Sequence, residues 1–127
     1  MLPAHAGPVL DRIRSTGTVV LAHRESSVPF SFLDQDRKPV GYSIDLCLKL
    51  VDALRKKLEL KTLTPAFVMV TPANRIATVE EGKADLECGS TTNNAERREK
   101  VAFTVPHYIT GARYLVRADS AVQVVRD

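Results

Sequence analysis

Three arginines, Arg24, Arg75 and Arg97, each stand just past an apolar run of strand length or early in a helical stretch, and Ser90-Thr91-Thr92 lies between the last two. Guanidinium groups stay charged and present forked donors that match carboxylates through paired, charge-assisted bonds. The hydroxyl-rich run adds backbone N–H groups leading into a helix start, a second feature suited to an anion. One arginine in a loop is ordinarily a solvated surface residue. Three that emerge at one edge repel each other unless an anion or acidic neighbours compensate them. The set therefore predicts a small ligand with more than one carboxylate. A neutral side chain would leave a buried arginine unpaired, so the second positive position would carry the discrimination. Glu87 and Glu96 are the acidic residues that could compensate the arginines internally. Glu96 adjoins Arg97 in sequence, and helix neighbours at i,i+1 do not face each other, which leaves Glu87 as the internal competitor.

These residues reach one place only if the elements before them run in the same direction. Val9 to Ser15 predicts a short helix stopped by Gly17, and Thr18 to Ala22 a buried strand. Phe30 to Val40 reads as two extended pieces around the turn residues Asp34-Gln35-Asp36. Ser43 is the expected N-cap of a long helix whose apolar face is Ile44, Cys47, Leu48, Val51, Leu54 and Leu58. Ala66 to Val70 predicts a second strand, Asn74 to Glu81 a second long-spaced helix closed by Gly82, and Asp85 to Cys88 a third strand. Ala95 to Lys100 reads as one or two helical turns, and Tyr108 to Val116 as an extended segment. Strands alternating with helices imply an α/β, doubly wound, mostly parallel sheet, because parallel neighbours need crossovers. Such sheets bind ligands beyond the carboxyl ends of their strands, which singles out the loops opening with Arg24, Arg75 and Ser90.

A chain of 127 residues, 44% hydrophobic and 26% charged, fits one domain with one core. No apolar run approaches the roughly 18 residues of a membrane span, and no apolar stretch follows a basic start, so neither anchor nor leader is expected in this chain. Ala4-His5-Ala6 does have the A-x-A form of a cleavage site. The net charge of +3 is spread out. Its one dense run, Arg55-Lys56-Lys57, falls near a helix end where cations complement the dipole, so no nucleic-acid partner is expected. Cys47 and Cys88 match no metal spacing, and neither metal nor cofactor is expected. Each cysteine suits a small buried apolar site, and a mutual disulfide is equally compatible with the sequence.

The stretch from His23 to Ser31, then Gly41-Tyr42-Ser43, Asn74-Arg75-Ile76 and above all Glu87 to Arg97 closely resemble the periplasmic glutamate/aspartate-binding proteins of ABC importers, within the type II periplasmic binding proteins. The similarity runs from about Val9 to Arg117. It implies that Arg24 and Arg75 hold the side-chain carboxylate of L-glutamate or L-aspartate, that Arg97 with Thr92 holds the α-carboxylate, and that Ser90 meets the α-amino group. Pro72 stands where the family often has a hydroxyl residue, and proline cannot donate. Family members have two lobes and work with ABC transporter membrane subunits in the periplasm. On that pattern residues 1–117 form the first ligand-binding lobe, incomplete, and 118–127 the hinge or start of a second. Half a cleft implies weak binding, and an uncovered edge implies a homodimer formed there or by exchange of the C-terminal strand. Some dehydratases share the fold. Catalysis would need a poised acid or base, and Glu25 and Glu87, the candidates, have no evident partner to shift them, so no enzyme is expected.

Overall fold

The computed structural model describes residues 7–111 and 113–121. Helix α1 (Pro8–Thr16) opens with proline, whose missing N–H is no loss at that position, and ends at Gly17, which adopts φ 63° and donates its N–H to the Ile13 carbonyl. Strand β1 (Thr18–His23) follows. It is the centre of a three-stranded parallel sheet, paired to β5 (Thr64–Met69) on one side and to β6 (Leu86–Glu87) on the other. Between β1 and β5 lie β2 (Ser26–Ser27), β3 (Ser31–Leu33) and β4 (Pro39–Val40), a small antiparallel sheet, and then α2 (Tyr42–Lys57). Helix α3 (Arg75–Glu80) crosses from β5 to β6, and α4 (Ala95–Arg98) follows the loop after β6.

The sheet is covered on both faces, as its alternating side chains require. Val19 and Leu21 of β1 are fully buried with Ile13 of α1 and with Ile44, Val51 and Leu58 at α2 and its C-cap. Val20 and Ala22 face the other way, toward Val68, Val70, Val79 and Ala84. Burial of each large aliphatic side chain contributes about 1.5–3 kcal/mol relative to exposure. At the amino side of the sheet the Asp85 carboxylate accepts from the Val20 N–H at 2.8 Å and pairs with Arg12 of α1. That ties α1 to the start of β6.

The expected elements form, with corrections at their ends. Ser43 is not the N-cap of α2: Gly41 is, and Ser43 sits in the first turn. The reason is that the carbonyls of Pro29 and Phe30 accept the N–H groups of Tyr42 and Ser43, both at 2.9 Å, so the free donors of the helix start are satisfied from outside. Leu48 is 40% exposed rather than on the buried face. The stripe that faces the sheet is the narrower one through Ile44, Cys47, Val51, Leu54 and Leu58. Strands β2 and β3, closing the loop after Arg24, extend the single piece expected before the turn. The described residues of 108–116 join no strand. Ala4-His5-Ala6 and residues 122–127 of the expected hinge lie outside the described residues.

Cys47 of α2 and Cys88, just after β6, form a disulfide across 41 residues of sequence, which decides between the two readings of the cysteines. Gly41 is the tightest backbone approach in the lobe. Its φ is 124°, and a Cβ there would stand 2.6 Å from the Phe30 carbonyl oxygen and 2.8 Å from that of Pro29, the two oxygens that cap α2. Gly41→Ala should therefore lower the unfolding free energy by about 2–4 kcal/mol in urea denaturation. An unchanged midpoint would contradict the close approach.

Candidate functional site

The register of the sheet sets the three loops side by side. His23 is level with Met69 and Ala22 with Glu87, so β1, β5 and β6 all end at one edge. From that edge emerge Arg24, the turn Thr71 to Asn74 leading to Arg75, and Gly89-Ser90. Each loop is fixed by polar contacts local to it. The Arg24 N–H donates to Ser31 Oγ at 2.9 Å, binding the β1 exit to β3. Thr71 N–H donates to Asn74 Oδ1 at 2.8 Å and Asn74 N–H to Thr71 Oγ1 at 3.3 Å, a reciprocal turn that delivers Arg75 at the first position of α3. The Ser43 hydroxyl donates to the Gly89 carbonyl at 2.8 Å, beside the disulfide at Cys88. The loop after β6 is thus held to the start of α2 by a covalent bond and a hydrogen bond.

Of the predicted site residues, Arg75 is the most enclosed, at 8% exposure, and its Nε is buried without a hydrogen-bond partner. Burial lowers its pKa from the ordinary guanidinium value, the Glu87 charge opposes that change, and the charges of Arg97 and Arg24 add to it. The charges of the other two arginines thus both act on Arg75. Arg97 Nη1 donates to the Thr92 carbonyl at 2.8 Å, while its N–H donates to Asn94 Oδ1 at 2.9 Å and so caps α4. Thr92 thus meets Arg97 through its main chain, and its side chain lies on an exposed residue. Ser90 is exposed and its hydroxyl lies 2.7 Å from that of Ser27. A small concavity of about 150 Å³ opens beside Arg24 and is lined further by Glu25, Ser26, Met69 and Thr71 to Pro72. Pro72, the departure from the family pattern, faces this hollow.

Glu87 is the internal competitor weighed from the sequence. Its Oε1 is buried without a hydrogen-bond partner, and Thr91 Oγ1 is in the same condition. Among the described residues no cation lies within ion-pair distance of it. Burial raises its pKa above the ordinary value, against the effects of Thr91, Arg75, Arg24 and Arg97, which favour the charged form. The influence that raises Glu87 is burial rather than a partner residue. Sequence reasoning missed Ser27, Ser43 and Gly89 as parts of the edge. The one signal available for them was the density of small and hydroxyl residues around Gly89.

A parallel α/β fold of this topology is the fold of the type II periplasmic binding proteins. The chain belongs to the bacterial extracellular solute-binding proteins, family 3, whose profile matches residues 19–126. It is 45% identical over 112 residues, 88% of this chain, to the glutamate/aspartate import solute-binding protein of Escherichia coli (strain K12). It is 44% identical over 115 residues, 90% of this chain, to the L-glutamate/L-aspartate-binding protein of Pseudomonas aeruginosa. The chain spans only 37% and 38% of the length of these relatives. Among solved structures it resembles the ancestral amino acid-binding protein AncCDT-1, a precursor of cyclohexadienyl dehydratase, with TM-score 0.69 and 30% identity over 79% of this chain and 41% of that one. It also resembles the arginine-bound form of domain 1 from TmArgBP, with TM-score 0.63 and 25% identity over 78% of this chain and 71% of that one.

The raised pKa of Glu87 makes a stability prediction with a definite sign. A carboxyl whose folded pKa exceeds its unfolded one stabilises the fold below the ordinary value of 4.5, and that contribution is lost as pH rises through the folded pKa. The stability of the unmutated chain relative to Glu87→Gln should therefore decline through the window above about pH 4.5 in urea denaturation. Parallel curves across that window would show that Glu87 titrates normally.

Proposed function

We propose that this chain binds L-glutamate or L-aspartate and serves as the ligand-binding lobe of the solute-binding component of an ABC importer. Arg24 and Arg75 hold the side-chain carboxylate, Arg97 with Thr92 the α-carboxylate, and Ser90 the α-ammonium group. The observation that carries this reading is the gathering of three mutually repelling guanidiniums at one sheet edge, with the Arg75 Nε buried and unpaired. A buried donor without a partner costs about 1–3 kcal/mol, which a bound carboxylate would offset. The two relatives named for glutamate and aspartate support the choice of ligand.

The remaining assignments follow from the same reading. Residues 1–117 make the lobe and 118–127 lead toward the hinge of a second. The working site is the periplasm, in keeping with the family's extracellular description and with a disulfide that persists in oxidising compartments. Partners are the membrane subunits of the importer. The function is read as binding without catalysis: Glu25 is exposed, and what raises Glu87 is burial rather than a partnered acid or base. One observation favours self-association as a second property. Strand β5 is an outer strand of the three-stranded sheet, and its Phe67 and Met69 are 39% and 51% exposed, an apolar edge that a second copy would cover.

A single lobe supplies about half the contacts of a closed cleft, so a dissociation constant near millimolar, about −4 kcal/mol, is expected. The arginine-bound form of an isolated domain of TmArgBP supports binding by one lobe in that protein. NMR titration should find L-glutamate and L-aspartate bound at least ~10-fold more tightly than L-glutamine, and Arg75→Ala should weaken glutamate a further ~10-fold or more with the fold intact. Equal affinity for glutamate and glutamine would remove the reading.

A further inference from the structure

Glu87 is a half-buried residue, its Oε1 enclosed, that the proposed ligand contacts do not use, yet it lies at the end of β6 beside the arginine loops. Its Oε1 folds back over Gly89: a Cβ on Gly89 would stand 2.2 Å from that oxygen and 3.4 Å from Arg24 Cγ. The carboxyl and the Arg24 stem therefore flank one point, and a Cβ there would displace the end of the Glu87 side chain. From the far side come Arg75 of α3 and Arg97 of α4, whose charges both reach Glu87. The other charged or titratable groups nearby face elsewhere. Glu25, Asp45 and Glu96 are exposed, Arg98 donates to Asn93 Oδ1, and His23 turns Nδ1 to the Arg24 carbonyl and its ring toward Phe67. Ser43 meets the Gly89 carbonyl and brings no charge.

We propose that Glu87 determines specificity by charge: it lowers the net positive charge of the arginine edge and so disfavours plain dicarboxylates relative to an amino dicarboxylate. The inference rests on the dicarboxylic amino acid reading above. Three guanidiniums and one ionised carboxylate leave two positive charges instead of three, and the lost charge costs a dianion more attraction than it costs a monoanion. A plain dicarboxylate such as glutarate carries net charge −2 against −1 for L-glutamate, so a fixed negative charge in the site repels it about twice as strongly. No ion pair quenches that charge, which makes its field available to the ligand. Neutralising Glu87 should help glutarate more than glutamate, by on the order of tenfold at distances of several ångströms in a partly solvated cleft. Burial, which favours the protonated carboxyl, means that mild acid should act in the same direction.

The test is an NMR titration of the 127-residue chain and of Glu87→Gln with L-glutamate and with glutarate at neutral pH. The expected result is a glutamate-to-glutarate affinity ratio that falls about tenfold in E87Q. A ratio unchanged in a folded E87Q, with glutamate still bound by the unmutated chain, overturns the role of Glu87 and leaves the ligand reading standing. Glutamate and glutarate both failing to bind the unmutated chain overturns both. Should E87Q fail to fold, the carboxyl carbon of Glu87 in the unmutated chain gives the same answer. Saturating glutarate should raise its pKa more than saturating glutamate does, because linkage is reciprocal. Equal pKa values in the two complexes would overturn the proposal.

Discussion

Mutual repulsion among Arg24, Arg75 and Arg97 is the constraint around which this lobe is organised. At the separations found along one sheet edge, like charges cost free energy unless water, a counter-ion or a ligand offsets them. Arg75 bears most of that cost, since it is buried as well as surrounded by charge of its own sign. The fold meets the cost in part with Glu87, itself half-buried and held without a direct ion pair. What remains is an edge with one buried, unpaired guanidinium nitrogen, Arg75 Nε.

Holding such an edge together requires that its three loops cannot drift apart. The parallel ladders fix where β1, β5 and β6 end, and each loop is then tied once more by a contact of its own. Arg24 is anchored through Ser31, Arg75 through the Thr71 and Asn74 turn, and the Gly89-Ser90 loop through Ser43 and the Cys47–Cys88 disulfide. Helix α2 is the common support, because its first turn is capped by the Pro29 and Phe30 carbonyls while its second hydroxyl residue reaches the loop after β6. Rigid elements thereby position side chains that would otherwise separate. The energetic cost of the cluster is borne by the β1 core, where Val19, Leu21 and Ala22 are wholly buried.

The periodic elements were legible in the residues because apolar spacing reports directly on burial. Thr18 to Ala22, Ala66 to Val70 and the stripe from Ile44 to Leu58 all appear where alternation or three- and four-residue spacing places them. The common edge at which β1, β5 and β6 end followed from strand direction alone. What escaped was decided by contacts between distant segments. Ser43 reads as a cap until the loop carbonyls of Pro29 and Phe30 take that role, and Leu48 reads as core until the sheet selects a narrower face. The burial of Glu87 and its place over Gly89 depend on how β6 enters α3 and the arginine loops, which no local spacing encodes.

The central claim, that the three guanidiniums receive one doubly anionic ligand, can be tested at the arginines themselves. Nitrogen-15 side-chain spectra of the chain should show the Nε–Hε signals of Arg24, Arg75 and Arg97 moving together along one binding curve as L-glutamate is added. Arg55, bonded to Asp52 on the surface of α2, supplies the reference signal that should stay in place. Movement of the surface reference alone, or separate curves for the three site arginines, would contradict a shared carboxylate site.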